Sequence, residues 1–431
     1  MLNTLFQNRF NSASHLPAKG LLTNTNTSFF TEQRMVIGIL LAGICYQAVL
    51  CLINTQVHIA SKAVVGLSEA LILAVCLPII ARRMLTGVII LILLISGLLA
   101  VNAIFSGQLN IKAYRDILVP LCFFWVGCNI GKPEVAERGL IAAVIVVLIF
   151  GFFELFFVDL FTRFFDIFSY YVGTGNLTPI TDYVRESKLQ LNGIRPEGIG
   201  RTLFPSLLGS HRVSSVFLEP ISMGNFATMC AAWGLSKDTR QWRSMALFLG
   251  AAFVMMVLSD SRFALMAVSV MLILRMILKG ELINLAVLTP FLALALLFTM
   301  GFDATGRGSD SFQGRLAFSG FTLMQFNLPM MFGVAELDNF ADQGYAYIIS
   351  SFGIPACLLL WFGLWLLKMP DEQATRFRAL IAVYFSLILC ISGNSAFAFK
   401  SSAVVWFLLG TVLKNPAPVN VSNIIGVQKN A

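Results

Sequence analysis

Apolar residues fall in twelve unbroken runs, near 35–53, 63–81, 85–105, 116–131, 139–159, 219–235, 244–258, 263–279, 282–302, 345–367, 377–391 and 396–413. Most approach the ~20 residues that cross a bilayer as a helix. The runs are continuous rather than alternating, which excludes a β-barrel, and lipid offers backbone groups no partner, so each run is expected to be helical. The pattern predicts an all-α polytopic membrane protein with about twelve transmembrane helices. The fourth, seventh, eighth and eleventh runs are short or poorly bounded, so the count is good to one or two.

Polar segments divide the chain. A polar tail, 1–34, precedes the first run and carries no apolar stretch of the signal-peptide kind. Residues 35–413 read as one transmembrane domain, and 414–431 as a second tail. Two connections are too long for tight turns and too polar to span: 160–218 and 303–344. Long connections commonly carry function. Neither an internal repeat nor an inverted pair of broken helices is visible, the patterns that point to a transporter.

Composition sharpens this picture. Hydrophobic residues make up 57% of the 431 and charged residues 12%, far from the polar skin a soluble globule needs. Mean hydropathy is +0.81. The net charge of +8 in such a chain reads as a topology signal rather than a nucleic-acid footprint. With the N-terminus inside, 17 basic residues fall on cytoplasmic segments and 5 on short outer loops. Both termini are therefore expected in the cytoplasm and both long connections outside. The eight cysteines lie in apolar runs, and the three histidines match no ligand spacing, so no disulfide framework, metal site or cofactor is indicated.

On this topology many charges gather at the outer face: Glu69, Arg115, Asp116, Glu154, Asp159, Asp260, Arg262 and Lys400. The long connections add Arg163, Arg185, Lys188, Arg195, Arg201, Arg212, Arg307 and Arg315. Guanidinium forks bind phosphate bidentately, and apolar walls suit a lipid tail, so an amphiphile with a phosphate head is the expected ligand class. For any one of these residues a structural ion pair at a helix end is the competing reading.

Four short patterns select among them. His211-Arg212-Val213-Ser214-Ser215-Val216-Phe217-Leu218-Glu219-Pro220 leads into an apolar run. Ser259-Asp260-Ser261-Arg262 forms a turn between two runs. Gly314-Arg315 is followed by Pro329 and Phe332-Gly333. Asp342-Gln343-Gly344-Tyr345 is followed by Phe352-Gly353-Ile354. In this order and topology they resemble the bacterial O-antigen polymerase and ligase superfamily, in its polymerase branch and with a lean to exopolysaccharide systems. The motifs cover 200–360 and the topology the whole chain.

The resemblance implies a GT-C-like architecture in the inner membrane. It implies an enzyme that moves a growing glycan from undecaprenyl pyrophosphate onto the next lipid-linked oligosaccharide repeat unit, on the periplasmic side. A chain-length co-polymerase and export proteins are the implied partners, with membrane lipid and without nucleic acid. Ligases of the family typically carry a histidine before the tenth helix. This chain has Asp342 near that place, and no histidine follows His211.

A pyrophosphate leaving group gathers negative charge, and Arg212, Arg262 and Arg315 are the candidate ligands for it, with Arg195 and Arg201 behind them. The outer loops lack a tight Asp cluster, which favours metal-independent catalysis. The acceptor hydroxyl needs a base, and Glu219 and Asp342 are the candidate carboxylates. Glu219 is equally readable as a helix cap or a partner of Arg212. An O-antigen ligase and a flippase of lipid-linked oligosaccharide remain as alternatives.

Overall fold

The computed structural model describes residues 25–176, 188–190, 193–194, 201–302, 311–335, 340 and 343–413. Both tails, apart from 25–34, and the candidates Arg195 and Asp342 lie outside them.

The described chain is helical. The main elements are α1 (Thr25–Val57), α2 (Lys62–Ile80), α3 (Thr86–Ser106), α4 (Ile111–Ile130) and α5 (Pro133–Phe156). Next come two short helices, α6 (Val158–Phe164) and α7 (Ile167–Gly173). The second half holds α8 (Pro220–Ser236), α9 (Trp242–Ser259), α10 (Arg262–Ile277), α11 (Thr289–Gly301) and α12 (Phe312–Met324), then α13 (Gly344–Leu366), α14 (Glu372–Ile388) and α15 (Phe399–Val412). The only β-pairing among the described residues is the isolated bridge Ile194–His211.

Every apolar run forms a helix, but eight are long and apolar enough to cross a membrane. These include α9 and α11 with the 3-10 turns that precede them. The others are shorter: α8 and α14 have 17 residues, α10 has 16 and α15 has 14. Burial accounts for the difference at two of them. In α8, 16 of the 17 residues are buried, and in α15, 13 of the 14. A helix enclosed by others does not have to match the lipid thickness along its own length. The longer α2 and α3 instead turn Leu67, Leu71, Leu93 and Phe105 outward as exposed apolar surface.

Close approach of small residues ties the bundle together. A Cβ on Gly127 of α4 would collide with the Phe407 carbonyl of α15, and one on Gly410 with the Phe124 carbonyl. Such backbone contact is the usual device where no hydrophobic force drives helices together. Gly320 on α12 meets Leu297 and Gly301 on α11 in the same way. Part of the second long connection is therefore a packed helix, not a loop.

The two ends of the bundle differ. One end gathers arginines onto helix-terminal carbonyls. Arg376 donates to Ser236 O at 2.8 Å, Arg275 to Lys237 O at 2.8 Å and Arg378 to Leu367 O at 2.7 Å. These cations meet the exposed carbonyls and the negative dipole end of each helix. The opposite end carries the connections 157–219 and 302–343, and is called the loop-bearing end below.

Candidate functional site at the loop-bearing end

Two polar clusters occupy this end. The first surrounds the C-terminus of α9. Helix α9 stops at Asp260, whose φ of +46° turns the chain into the left-handed region. Its last carbonyls need donors. Arg212 Nε supplies one to Ser259 O at 3.0 Å. The Arg201 guanidinium supplies others to Val257 O and Leu258 O, and also reaches His211 O. Asp260, fully buried, accepts the amides of Thr202 and Leu203 at 3.0 Å each. Arg262 donates to the Thr202 hydroxyl and is itself exposed.

Glu154 anchors the same strap from α5. It is completely buried and accepts the Ser214 amide, the Ser214 hydroxyl and the Ser215 amide. His211 Nε2 lies 3.2 Å from Glu154 Oε1. Each of these donors is fixed by the strap 211–215, so Glu154 holds the loop against the bundle. Arg201 and Arg212, both only 5% exposed, belong to this holding structure as well.

The second cluster is a continuous line of polar side chains across five helices and the residue that opens a sixth. Glu219 opens α8 but makes no side-chain cap to it. Its Oε2 instead lies 3.0 Å from Lys400 Nζ of α15 and accepts the Ser222 hydroxyl at 2.7 Å. Lys400 is buried and also donates to Phe217 O at 2.8 Å and to Gln47 Oε1 at 3.1 Å. Gln47 Nε2 donates to the Tyr46 hydroxyl at 3.2 Å, and that hydroxyl donates to Glu69 Oε1 at 2.7 Å. Arg115 Nη1 then lies 3.6 Å from Glu69 Oε2 and its Nη2 lies 2.7 Å from Asp116 Oδ1. Asp116 ends the line by accepting the Tyr347 hydroxyl at 2.6 Å.

Ionisable groups inside a membrane protein are costly, so a paired line of them marks a site worth testing. Glu219 is the part-exposed carboxylate of the line, with 31% of its side chain open. Desolvation acts to raise its pKa, but the Lys400 ammonium and the Ser222 hydroxyl outweigh it, and the carboxyl stays below its usual range. Tyr171 on α7 faces the same carboxylate. Burial, then the Glu219 charge, pushes its hydroxyl well above the ordinary tyrosine value. Arg115 is the open cation of the line, its side chain 42% exposed.

The start of α10 packs against the first turns of α8. Gly224, one turn into α8, sits so close to Ser261 that a Cβ there would strike the serine hydroxyl. Arg315 is half-buried in the first turn of α12, behind the Ser311 cap that accepts Gly314 N at 3.0 Å. Glu219 pairs with Lys400 and Ser222 and does not cap α8.

Sequence reasoning marked Lys400, Glu69, Arg115 and Asp116 as charges of this face but did not join them. It passed over Tyr46, Gln47 and Tyr347. Their signal was a Tyr-Gln pair inside an otherwise apolar run, and a tyrosine one turn past Asp342-Gln343. No protein-family model, curated protein or solved structure matches the chain.

Proposed function

We propose that the protein is a polysaccharide polymerase of the bacterial inner membrane. It joins oligosaccharide repeat units carried on undecaprenyl pyrophosphate, as the four motifs imply. The observation that carries this reading is the Glu219–Lys400 pair: a part-exposed carboxylate, kept ionised, at the Glu-Pro step of the first motif. Eight spans, completed by α8, α10, α14 and α15, would make twelve in a GT-C-like arrangement. By the distribution of basic residues the loop-bearing end then faces the periplasm and both tails the cytoplasm.

In this reading Glu219 accepts the proton of the acceptor sugar hydroxyl. The hydroxyl oxygen forms a bond to the anomeric carbon of the donor glycan. The bond from that carbon to the pyrophosphate oxygen breaks, and its electron pair leaves with undecaprenyl pyrophosphate. Arg262, Arg315 and Arg115 are the cations for the leaving group, a kind of stabilisation worth about 3–4 kcal/mol per preorganised donor. Arg201 and Arg212 act at one remove, by holding the Arg262 turn on the end of α9. Asp342 and Arg195 keep their candidate roles as second base and second-tier ligand.

The test is chain growth by purified protein given lipid-linked repeat units. Growth in the wild type, and its loss in Glu219→Gln and Arg315→Ala at equal protein level, supports the polymerase. Transfer to lipid A core in place of growth indicates a ligase, and a change of sidedness without growth indicates a flippase.

A further inference from the structure

At the end of the bundle away from the loops, the turn that leads into α9 is held from several sides. Arg376 Nη2 lies 2.7 Å from Asp238 Oδ1, and its Nε donates to Ser236 O. Lys237 Nζ lies 3.0 Å from Glu137 Oε2, and Ser244 donates its hydroxyl to the other oxygen of that carboxylate. Both acids at the turn, Asp238 and Glu137, are thereby engaged. Arg240 and Arg243 are exposed, and neither is ion-paired among the described residues.

Between them stands Trp242, 59% exposed, with the Arg243 guanidinium 5.7 Å from its ring centroid. That lies within cation–π range. The ring opens a helix long and apolar enough to cross a membrane, so it stands where acyl chains give way to headgroups. Ala246, Gly250 and Phe253 continue the same face of α9, and all three are exposed. A Cβ on Gly250 would meet nothing within 4 Å. The two small residues leave a shallow trough between the Trp242 and Phe253 rings. At 1.5 Å per residue the trough runs roughly 16 Å along the helix, about the depth of one leaflet.

We infer that this face binds one bilayer phospholipid with an anionic headgroup. Arg240 and Arg243 take its phosphate oxygens, the Trp242 ring meets its glycerol, and an acyl chain lies in the trough. Because the nearby acids are already paired, the two free guanidiniums favour a net negative headgroup over a zwitterion. The site is distinct from the loop-bearing end. Helix α9 carries the Asp260 turn at its other terminus, about 27 Å along its axis. The inference involves no glycan and does not rest on the polymerase reading.

The experiment titrates the purified full-length protein, in a neutral detergent, with phosphatidylglycerol or phosphatidylcholine carrying brominated acyl chains. The Trp242 emission is taken as the difference between the wild type and Trp242→Phe. Phosphatidylglycerol is expected to quench it at a concentration about tenfold lower than phosphatidylcholine. Arg240→Gln combined with Arg243→Gln should remove that preference. Gly250→Leu fills open space, so it should weaken phosphatidylglycerol quenching without lowering the melt, and it keeps the test open if the double variant does not fold. Equal quenching by the two lipids would reduce the face to ordinary lipid contact and overturn the site. So would an unchanged preference in the folded double variant, or undiminished quenching in Gly250→Leu. Protection by soluble glycerol phosphate at matched concentration would mark a site for the free anion and remove the lipid.

Discussion

Lys400 Nζ lies 3.0 Å from Glu219 Oε2, joining the start of α15 to the start of α8 across 181 positions of sequence. The two residues differ in exposure. Lys400 is enclosed at 3% and Glu219 is open at 31%. The ammonium is thus a fixed interior charge, and the carboxylate is the more open part of the pair.

Removing the fixed partner should weaken the fold. Lys400→Met is expected to cost about 1–3 kcal/mol, below the cost of breaking a wholly buried pair because water still reaches Glu219. The shift in apparent melting temperature in detergent measures it. Adding Glu219→Gln to Lys400→Met should recover part of the loss, since the uncompensated carboxylate is then gone. Additive losses would show that the pair carries no coupling.

Acid should act on the same pair. The folded carboxyl of Glu219 titrates below its ordinary value of 4.5, so its contribution is present above that value. It is lost as pH falls through the lower folded value. Melts taken from pH 6 downward should therefore lose stability more steeply in the wild type than in Glu219→Gln. Identical pH slopes would remove Glu219 as the titrating group.

Glu154 and Glu219 should separate structure from chemistry. Glu154→Gln puts an NH₂ among donors that need an acceptor, and is expected to cost about 1–3 kcal/mol. Activity per folded molecule should stay near that of the wild type. Glu219→Gln should lose polymer per folded molecule, over and above the stability forfeited when the enclosed Lys400 ammonium loses its partner. Paired melting and chain-growth measurements decide between them.

The glycine contacts allow a sharper packing test. Gly410→Ala drives a methyl into the Phe124 carbonyl and should lower stability by at least the roughly 1–3 kcal/mol typical of overpacking. Gly66→Ala on α2 meets no atom within 4 Å, and should raise stability by about 0.5–1 kcal/mol through helix propensity. Size-exclusion profiles and melts of the two variants provide the comparison.

Much of the architecture is legible in the sequence because lipid imposes a simple rule: an apolar run must fold as a helix. All twelve runs do so. The fourth helix begins at Ile111, five residues before its apolar run, because Asn110 caps it and the polar turn carrying Lys112 and Arg115 is already helical. The first long connection is polar in sequence, yet it contains α7, set against α1 by the Thr55 hydroxyl, which accepts Asp166 N at 2.9 Å. Short amphipathic stretches at an interface give no run long enough to register.

Hydropathy, charge and spacing by themselves determined that the chain is helical, embedded in a membrane and sparse in charge, because those properties follow from local composition. They also set several carboxylates and cations at one end of the helices. Only the tertiary structure decided which of them meet. Arg201 and Arg212 went to the open carbonyls of α9, because a helix end buried without donors is costly. Glu219 went to Lys400, because α15 packs glycine to glycine against α4 and sets its first turn beside the start of α8. Pairings made across 181 residues depend on how helices pack, and no local pattern records that.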